Sequence, residues 1–199
     1  MSLVLAGKIA WAVMVVGWYL LRWPFQRRAK KVALSDDRMK LPERLRLATA
    51  TTGLGIVPFV FVVFGEPRIA DYTPHPALFA AGMVAAIFAL VLFRLTHKAL
   101  GRMWSVSLQL KQNHTLVTTG VYSRVRHPMY SAFWLMAAAQ ALLLPNLVAG
   151  LAGAAGFGLL YFSRIGPEER MMEQAFGEQY LAYRRRTRRI IPSIRRGRQ

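Results

Sequence analysis

Apolar runs long enough to cross a membrane constrain this chain more than any other feature. Three of them cover residues 3–21, 45–64 and 75–93, and a fourth extends over 130–165 with a break at Pro145-Asn146. A helix needs ~20 residues to cross the hydrocarbon layer, so each of the first three runs predicts one span. The fourth predicts a helical hairpin with arms at 128–144 and 147–165, because proline cannot continue a helix and asparagine suits a turn.

The predicted fold is therefore an all-α, polytopic membrane protein with five transmembrane helices, the last two forming the hairpin. Hydrophobic residues make up 54% of the chain, above the ~45–50% of ordinary soluble domains. The N-terminal run lacks the basic start and the small-residue cleavage site of a signal peptide, so we expect it to remain as the first span.

The formal net charge of +18 is compatible with nucleic-acid binding, and the positions of the charges decide against that reading. Basic side chains crowd the loop at 22–46, the segment after the third span and the tail beyond residue 161. The connection at 65–74 has only Arg68, against Glu66 and Asp71. Cytosolic loops carry the excess of lysine and arginine, so we expect the N-terminus outside and the C-terminus in the cytosol.

This topology explains all the basic residues except Lys8 and Arg68 without nucleic acid as a partner, and it makes membrane lipids the expected partner. The arginines between residues 184 and 189 are also suited to anionic headgroups, at ~1 kcal/mol each. If the host is bacterial, the membrane is the inner one. The four histidines have no metal-ligand spacing, so no metal site is predicted. The sequence does not indicate an oligomeric state.

The chain divides into a scaffold at 1–99 and a part at 100–199 where polar residues become specific in type and spacing. The glycine-rich stretch at 150–158 lies inside a span and predicts close helix packing rather than a nucleotide loop. Arg126 to Tyr130 read RHPMY, and Pro128 suits the first turn of a helix. The exposed amides of such a helix start favour an anionic ligand group.

After the fifth span, Gly166-Pro167 predicts a new amphipathic helix, and Gly177 predicts an interruption before a second short piece. Glu168 and Glu169 then complement the dipole of the first turn, at ~0.3–1 kcal/mol. Arg164 lies four and five residues earlier, so an arginine and two carboxylates are expected to converge at the mouth of the hairpin.

Four sequence blocks, read together, resemble the isoprenylcysteine carboxyl methyltransferase family and its relatives among phospholipid methyltransferases. They are H-x-L-V-x-x-G-V-Y at 114–122, RHPMY at 126–130, R-x-x-x-E-E at 164–169 and F-G-E-Q-Y-x-x-Y-R-R at 176–185. The resemblance covers residues 100–192, and the first half matches only in its spans. It implies methyl transfer from S-adenosylmethionine, yielding S-adenosylhomocysteine, to a lipid or lipid-modified substrate.

The resemblance also implies that the cofactor pocket is formed by the cytosolic loop before the hairpin and the C-terminal amphipathic helices after it. Arg164, Tyr130 and Glu169 are the implied catalytic residues, with Arg164 orienting the methyl acceptor. Glu169, and less firmly Glu168, complete the cofactor wall. The other implied wall residues are His114, Leu116, Val117, Gly120, Tyr122, His127, Pro128 and Tyr130.

The acceptor stays open between two chemistries. A carboxylate is already ionised at neutral pH and needs no base, so alignment alone supplies ~7–11 kcal/mol of the barrier, and we favour O-methylation. An amine must lose a proton, for which Glu169 or His127 is the candidate base. A third interpretation is a non-enzymatic transporter or complex subunit. Transporters usually have polar midplane residues, for which Lys8 and Gln140 are the candidates here.

Overall fold

A computed structural model of the chain describes residues 1–29, 41–101 and 115–192. Within these ranges the backbone is helical apart from short connections, and it forms two isolated bridges but no strand. The all-α prediction is thereby confirmed. The helices are α1 (Leu3–Ala29), α2 (Leu41–Thr51), α3 (Val57–Phe64), α4 (Pro76–Leu100), α5 (Pro128–Leu143) and α6 (Leu147–Arg186).

Four helical segments of the described chain are long and apolar enough to cross a membrane. They are Leu3–Arg27, Leu41–Phe64, Pro76–Leu100 and Leu147–Arg186. The chain is thus an integral membrane protein. α5, the first arm of the hairpin, has 16 residues, or about 24 Å of helix, which is marginal for the hydrocarbon layer.

A π-helical turn at Thr52–Ile56 joins α2 to α3, and this continuous segment packs closely against α6. A methyl group on Gly53 would collide with the carbonyl of Ala152, and one on Gly156 would collide with the carbonyl of Thr49. Small residues let membrane helices approach until their backbones touch. The predicted packing role of the glycine-rich stretch in α6 is confirmed.

The turn between α5 and α6 lies at Pro145-Asn146, as predicted, and is tied to the connection between α3 and α4. Asn146 caps α6, because its side-chain oxygen accepts a hydrogen bond from the amide of Ala149 at 2.8 Å. Its Nδ2 donates to the carbonyl of Pro67 and to Oδ1 of Asp71, both at 2.6 Å. Both connections therefore lie at the same end of the bundle.

α6 corrects one expectation: no new helix begins at Gly166-Pro167, and the helix continues through Pro167. The reason is tertiary packing. Tyr161 and Ile165 are buried before the proline and Glu169 after it, so contacts on both sides outweigh the missing amide, and an interior proline then bends a helix rather than ending it. The interruption predicted at Gly177 is confirmed, since its φ of 50° is non-helical.

Gln140 joins four segments in the middle of the bundle. Its side chain is fully buried and accepts a hydrogen bond from Trp11 Nε1 of α1 at 3.4 Å. Its Nε2 donates to the carbonyl of Gly53 at 3.0 Å and to that of Ala149 at 2.7 Å. These bonds satisfy a polar side chain within the protein, where lipid offers no partner.

Candidate functional site

A cavity of about 660 Å³ lies between α1, α2, α4, α5 and α6. Its wall is polar at one end and apolar toward the middle of the bundle. The polar end includes Arg126, His127, Tyr130, Arg164 and Glu168, and the apolar part includes Val15, Leu54, Phe133, Met136 and Phe157. Its volume falls within the ~300–1,000 Å³ that is usual for small-molecule sites.

The carboxylate of Glu169 is held between two arginines beside the polar end. Arg126 donates from Nε and Nη2 to Oε1 at 3.2 and 2.7 Å, and Arg189 donates from Nε and Nη2 to Oε2 at 3.1 and 2.8 Å. Glu169 is only 4% exposed. Charge-assisted bonds to both oxygens make this carboxylate a fixed part of the structure.

Arg126 also binds the last turn of α6 and the chain that follows it. Its Nη1 donates to the carbonyls of Arg184 and Thr187. The amides of Arg126 and His127 in turn donate to the carbonyls of Arg188 and Arg189, at 2.8 and 2.9 Å. Residues 187–190, the C-terminal strap, thus run beside the start of α5, where Ser131 Oγ donates to the carbonyl of Ile190 at 2.6 Å.

His127 lies between the two glutamates. Its Nδ1 is 3.5 Å from Glu168 Oε1, and its Nε2 is 3.4 Å from Glu169 Oε1. Burial disfavours the imidazolium, but the hydrogen bonds and negative charges of the two carboxylates outweigh burial and raise the pKa of His127 above its ordinary value. The protonated ring therefore persists to higher pH than that of a free histidine.

Glu168 lines the cavity and is oriented by its neighbours. Tyr130 donates its hydroxyl hydrogen to Glu168 Oε2 at 2.5 Å, and the Tyr130 ring stacks on His127 with centroids 5.6 Å apart. Arg164 Nε lies 3.9 Å from the same oxygen. The polar end therefore presents a carboxylate, a phenol and a guanidinium to one space.

Most of the predicted site residues that the structure describes meet at this cavity. The wall includes Leu116, Val117, Tyr122, His127, Tyr130, Arg164 and Glu168. Three others do not reach it: Glu169 lies behind the wall, where Arg126 and Arg189 hold it, Pro128 is buried as the first residue of α5, and Gly120 forms a turn with a φ of 61°. His114 lies outside the described residues.

Several wall residues were not identified from the sequence. Arg126 was noted only as the start of the RHPMY motif and was given no role, although it is 9% exposed and pairs with Glu169. His97 was considered only as one of four histidines without metal-ligand spacing, but it is fully buried and lines the cavity, with its ring centroid 4.2 Å from that of Phe93. The available sequence signal for His97 was its position in an otherwise apolar helix, because a histidine in a membrane span often has a functional role.

The sequence profile of the isoprenylcysteine carboxyl methyltransferase (ICMT) family matches residues 74–174, half of the chain. The chain belongs to this family. The matched residues include α4, α5 and the part of α6 that carries Arg164, Glu168 and Glu169, so the family match contains most of the polar end of the cavity. α1, α2 and the C-terminal strap lie outside the match.

Individual relatives of this ICMT family member cover different parts of it. Protein-S-isoprenylcysteine O-methyltransferase B of Arabidopsis thaliana is 33% identical over 45% of the chain and 45% of its own length. The rat protein-S-isoprenylcysteine O-methyltransferase is 31% identical over 59% of the chain and 42% of its own. The cobalt-zinc-cadmium resistance protein CzcN of Cupriavidus metallidurans is 32% identical over 70% and 61%. Each match covers less than two thirds of the relative.

Proposed function

We propose that this chain transfers a methyl group from S-adenosylmethionine to the carboxylate of a lipid or lipid-modified substrate at the cytosolic face of the membrane. The observation that carries the proposal is the cavity, which joins a polar end to an apolar interior within a member of the ICMT family. Two relatives are named as enzymes that methylate an oxygen of S-isoprenylcysteine in proteins, a substrate with one apolar and one anionic part.

The polar end suits the chemistry of the proposed methyl donor. Glu168 lines the cavity and offers a carboxylate to ribose hydroxyls or to a positive charge, and Tyr122 and Tyr130 add aromatic surface. S-adenosylmethionine supplies an electrophilic methyl group on a sulfonium. Of the two glutamates, Glu168 is the better candidate for direct contact with the methyl donor. It lines the cavity, whereas Glu169 lies behind the wall with both oxygens bound by arginines.

We assign each residue of the site a separate role. Arg164 orients the carboxylate acceptor, for which a planar guanidinium is well suited. Tyr130 lies near the transfer point, where its bond to Glu168 fixes its hydroxyl. Glu169 acts through Arg126 and His127, which it holds on the wall. Leu116, Val117 and His127 form the remaining cofactor wall, to which we also assign His114. Gly120 and Pro128 support this wall from behind, through the turn and the start of α5.

The membrane arrangement is part of the proposal. We infer that α5 completes five crossings, with the N-terminus outside and the C-terminus in the cytosol. Support comes from the turn at Asn146, which contacts the connection between α3 and α4 at the end of the bundle opposite to the cavity's polar end. The arginine-rich end of α6 then faces the cytosol, and in a bacterium the membrane is the inner one.

An amine acceptor is the second candidate, favoured by one observation: Glu168 lines the cavity and can accept a proton. A non-enzymatic role is the third, and it is consistent with CzcN, a relative named for metal resistance rather than for methyl transfer. The two enzymatic candidates share the donor site and differ in the product, since a methyl ester is cleaved by base and an N-methyl group is not.

The experiment follows from that difference. Protein purified in detergent is titrated with S-adenosylhomocysteine by calorimetry, and transfer of labelled methyl groups is then measured with N-acetyl-S-farnesylcysteine and with phosphatidylethanolamine vesicles. We expect saturable binding and base-labile product on the first acceptor. Base-stable product would favour the amine reading, and absence of binding at millimolar ligand would contradict both enzymatic candidates.

A further inference from the structure

Glu43 is a buried acid outside the residues that match the ICMT family. It lies in the first turn of α2, and its side chain is 11% exposed. Its Oε1 is 3.4 Å from Nη1 of Arg164, and its Oε2 is 3.6 Å from Nη1 of Arg46. An acid that only complements a helix dipole is normally exposed, so burial against Arg164 needs a further reason.

We propose that Glu43 is a positioning residue, which holds the guanidinium of Arg164 at the cavity wall so that it can orient the methyl acceptor. The inference rests on the proposed function and extends the site to the N-terminal half of the chain. Arg164 lies between two carboxylates on different helices, Glu43 at 3.4 Å and Glu168 at 3.9 Å. Two anchors from different directions fix a long, flexible side chain where one does not.

The packing of α2 against α6 fixes the position of Glu43 relative to Arg164. α2 and the π-helical turn touch α6 directly, as the collisions expected at Gly53 and Gly156 indicate. Thr49 Oγ1 adds a hydrogen bond to the carbonyl of Gly156 at 3.2 Å. Because the backbones of this segment and α6 are in close contact, the distance between Glu43 and Arg164 is set by helix packing.

Loss of the Glu43 charge should impair methyl transfer to the acceptor and leave binding of the methyl donor unchanged. Without the charge of Glu43, the guanidinium of Arg164 is drawn toward Glu168 alone and leaves the position in which it meets the acceptor. A displacement of about 1 Å can lower the rate of a transfer reaction by up to ~100-fold. The bonds among Glu168, Tyr130 and His127 do not include Glu43, so affinity for the donor should be retained.

The test compares Glu43→Gln with the wild type and with Glu66→Gln, a matched loss of an acid whose side chain is 57% exposed. Steady-state transfer to N-acetyl-S-farnesylcysteine and to phosphatidylethanolamine vesicles, S-adenosylhomocysteine affinity and melting temperature are measured for each protein. We expect Glu43→Gln to lower kcat/KM for the acceptor by about 10- to 100-fold with donor affinity close to wild type, and we expect Glu66→Gln to be unchanged. Melting should fall only modestly, because Glu168 remains as a counter-charge for Arg164.

Two results would overturn the inference while leaving the proposed function intact. One is transfer by Glu43→Gln within about twofold of wild type. The other is a parallel loss of donor affinity, melting temperature and transfer, which indicates a structural role only. A wild-type protein that binds no S-adenosylhomocysteine would instead contradict the proposed function itself. If the wild-type protein bound S-adenosylhomocysteine but methylated neither acceptor, the proposed acceptor would be wrong, and so would the role assigned to Glu43.

Discussion

Arg189 donates two hydrogen bonds to a single oxygen of Glu169, at 2.8 and 3.1 Å, and so ties the end of the chain to the middle of α6. Arg126 occupies the other oxygen. The carboxylate is buried, whereas the Arg189 side chain is 49% exposed. The C-terminal strap is therefore fastened by an ion pair that also holds the start of α5.

Glu169→Gln should destabilise the protein. The change leaves the buried guanidinium of Arg126 without its counter-charge, and breaking such a pair costs about 3–5 kcal/mol. We expect a clear fall in melting temperature in detergent. Glu173→Gln is the matched control, because its pair with Arg184 is exposed and should contribute at most about 1 kcal/mol. Equal melting of the two variants would contradict the structural role of Glu169.

His127 should make stability depend on pH. Its folded-state pKa is raised above the unfolded value of about 6.5, so the imidazolium stabilises the fold fully below that value and loses this effect as pH rises through the folded pKa. Glu168, Glu169 and the Tyr130 hydroxyl are the titratable groups that face it. The melting temperature of wild type minus that of His127→Gln should therefore shrink from pH ~6 to ~9. A difference that grows with pH would argue against a protonated ring.

Arg164→Ala should separate binding from transfer. We expect affinity for S-adenosylhomocysteine to stay within about threefold of wild type, because Glu168 and Tyr130 remain bonded to each other. Transfer to N-acetyl-S-farnesylcysteine should fall at least ~100-fold as the acceptor loses its orienting cation. Calorimetry and a labelled-methyl assay measure the two quantities, and retained turnover would remove the assigned role.

Gln140→Leu should loosen the centre of the bundle. The substitution leaves Trp11 Nε1 and the carbonyls of Gly53 and Ala149 without their partner. Hydrogen bonds between membrane helices contribute ~0.6–2 kcal/mol, so we expect a loss of about 1–2 kcal/mol in detergent unfolding. Thr51→Val on the exposed side of α2 is the comparison, since its hydroxyl donates to the carbonyl of Leu47 within the same helix. A Gln140→Leu protein as stable as wild type would show that these contacts contribute little.

The proposed orientation can be measured directly because the chain contains no cysteine. Single cysteines at Ser2 and Arg185 would lie on opposite sides of the membrane, outside and cytosolic respectively. In intact cells a membrane-impermeant maleimide should label Ser2→Cys, and it should label Arg185→Cys only after permeabilisation. The reverse pattern would invert the topology, and labelling of both positions in intact cells would place both ends outside.

The parts of the fold that the sequence predicted are those set by local pattern. Apolar length located the long helices, and Pro145-Asn146 located the hairpin, because hydrophobicity and turn chemistry act over a few residues. The helix through Pro167 was missed, since its continuity depends on burial of Tyr161 and Glu169 against partners distant in sequence.

The same distinction separates the site residues that were found from those that were missed. Arg164, Glu168 and Tyr130 lie in the sequence motifs on which the family resemblance rests. Glu43 lies in no such motif, and the sequence analysis placed it in the basic loop at 22–46, whereas α2 begins at Leu41 in the structure. Its meeting with Arg164 depends on the packing of α2 against α6, a tertiary contact over more than half the chain.

The wall of the cavity is built from the whole length of the chain, from Val15 in the first helix to Tyr183 near the end of the last. A fragment restricted to residues 100–199 would retain Arg126, His127, Tyr130, Arg164 and Glu168 and lose the opposite side of the cavity, including His97. The remaining apolar wall would then lie open to lipid tails, and a substrate would meet the bilayer instead of a second protein wall. Coexpressed halves would regain function only by reassembling.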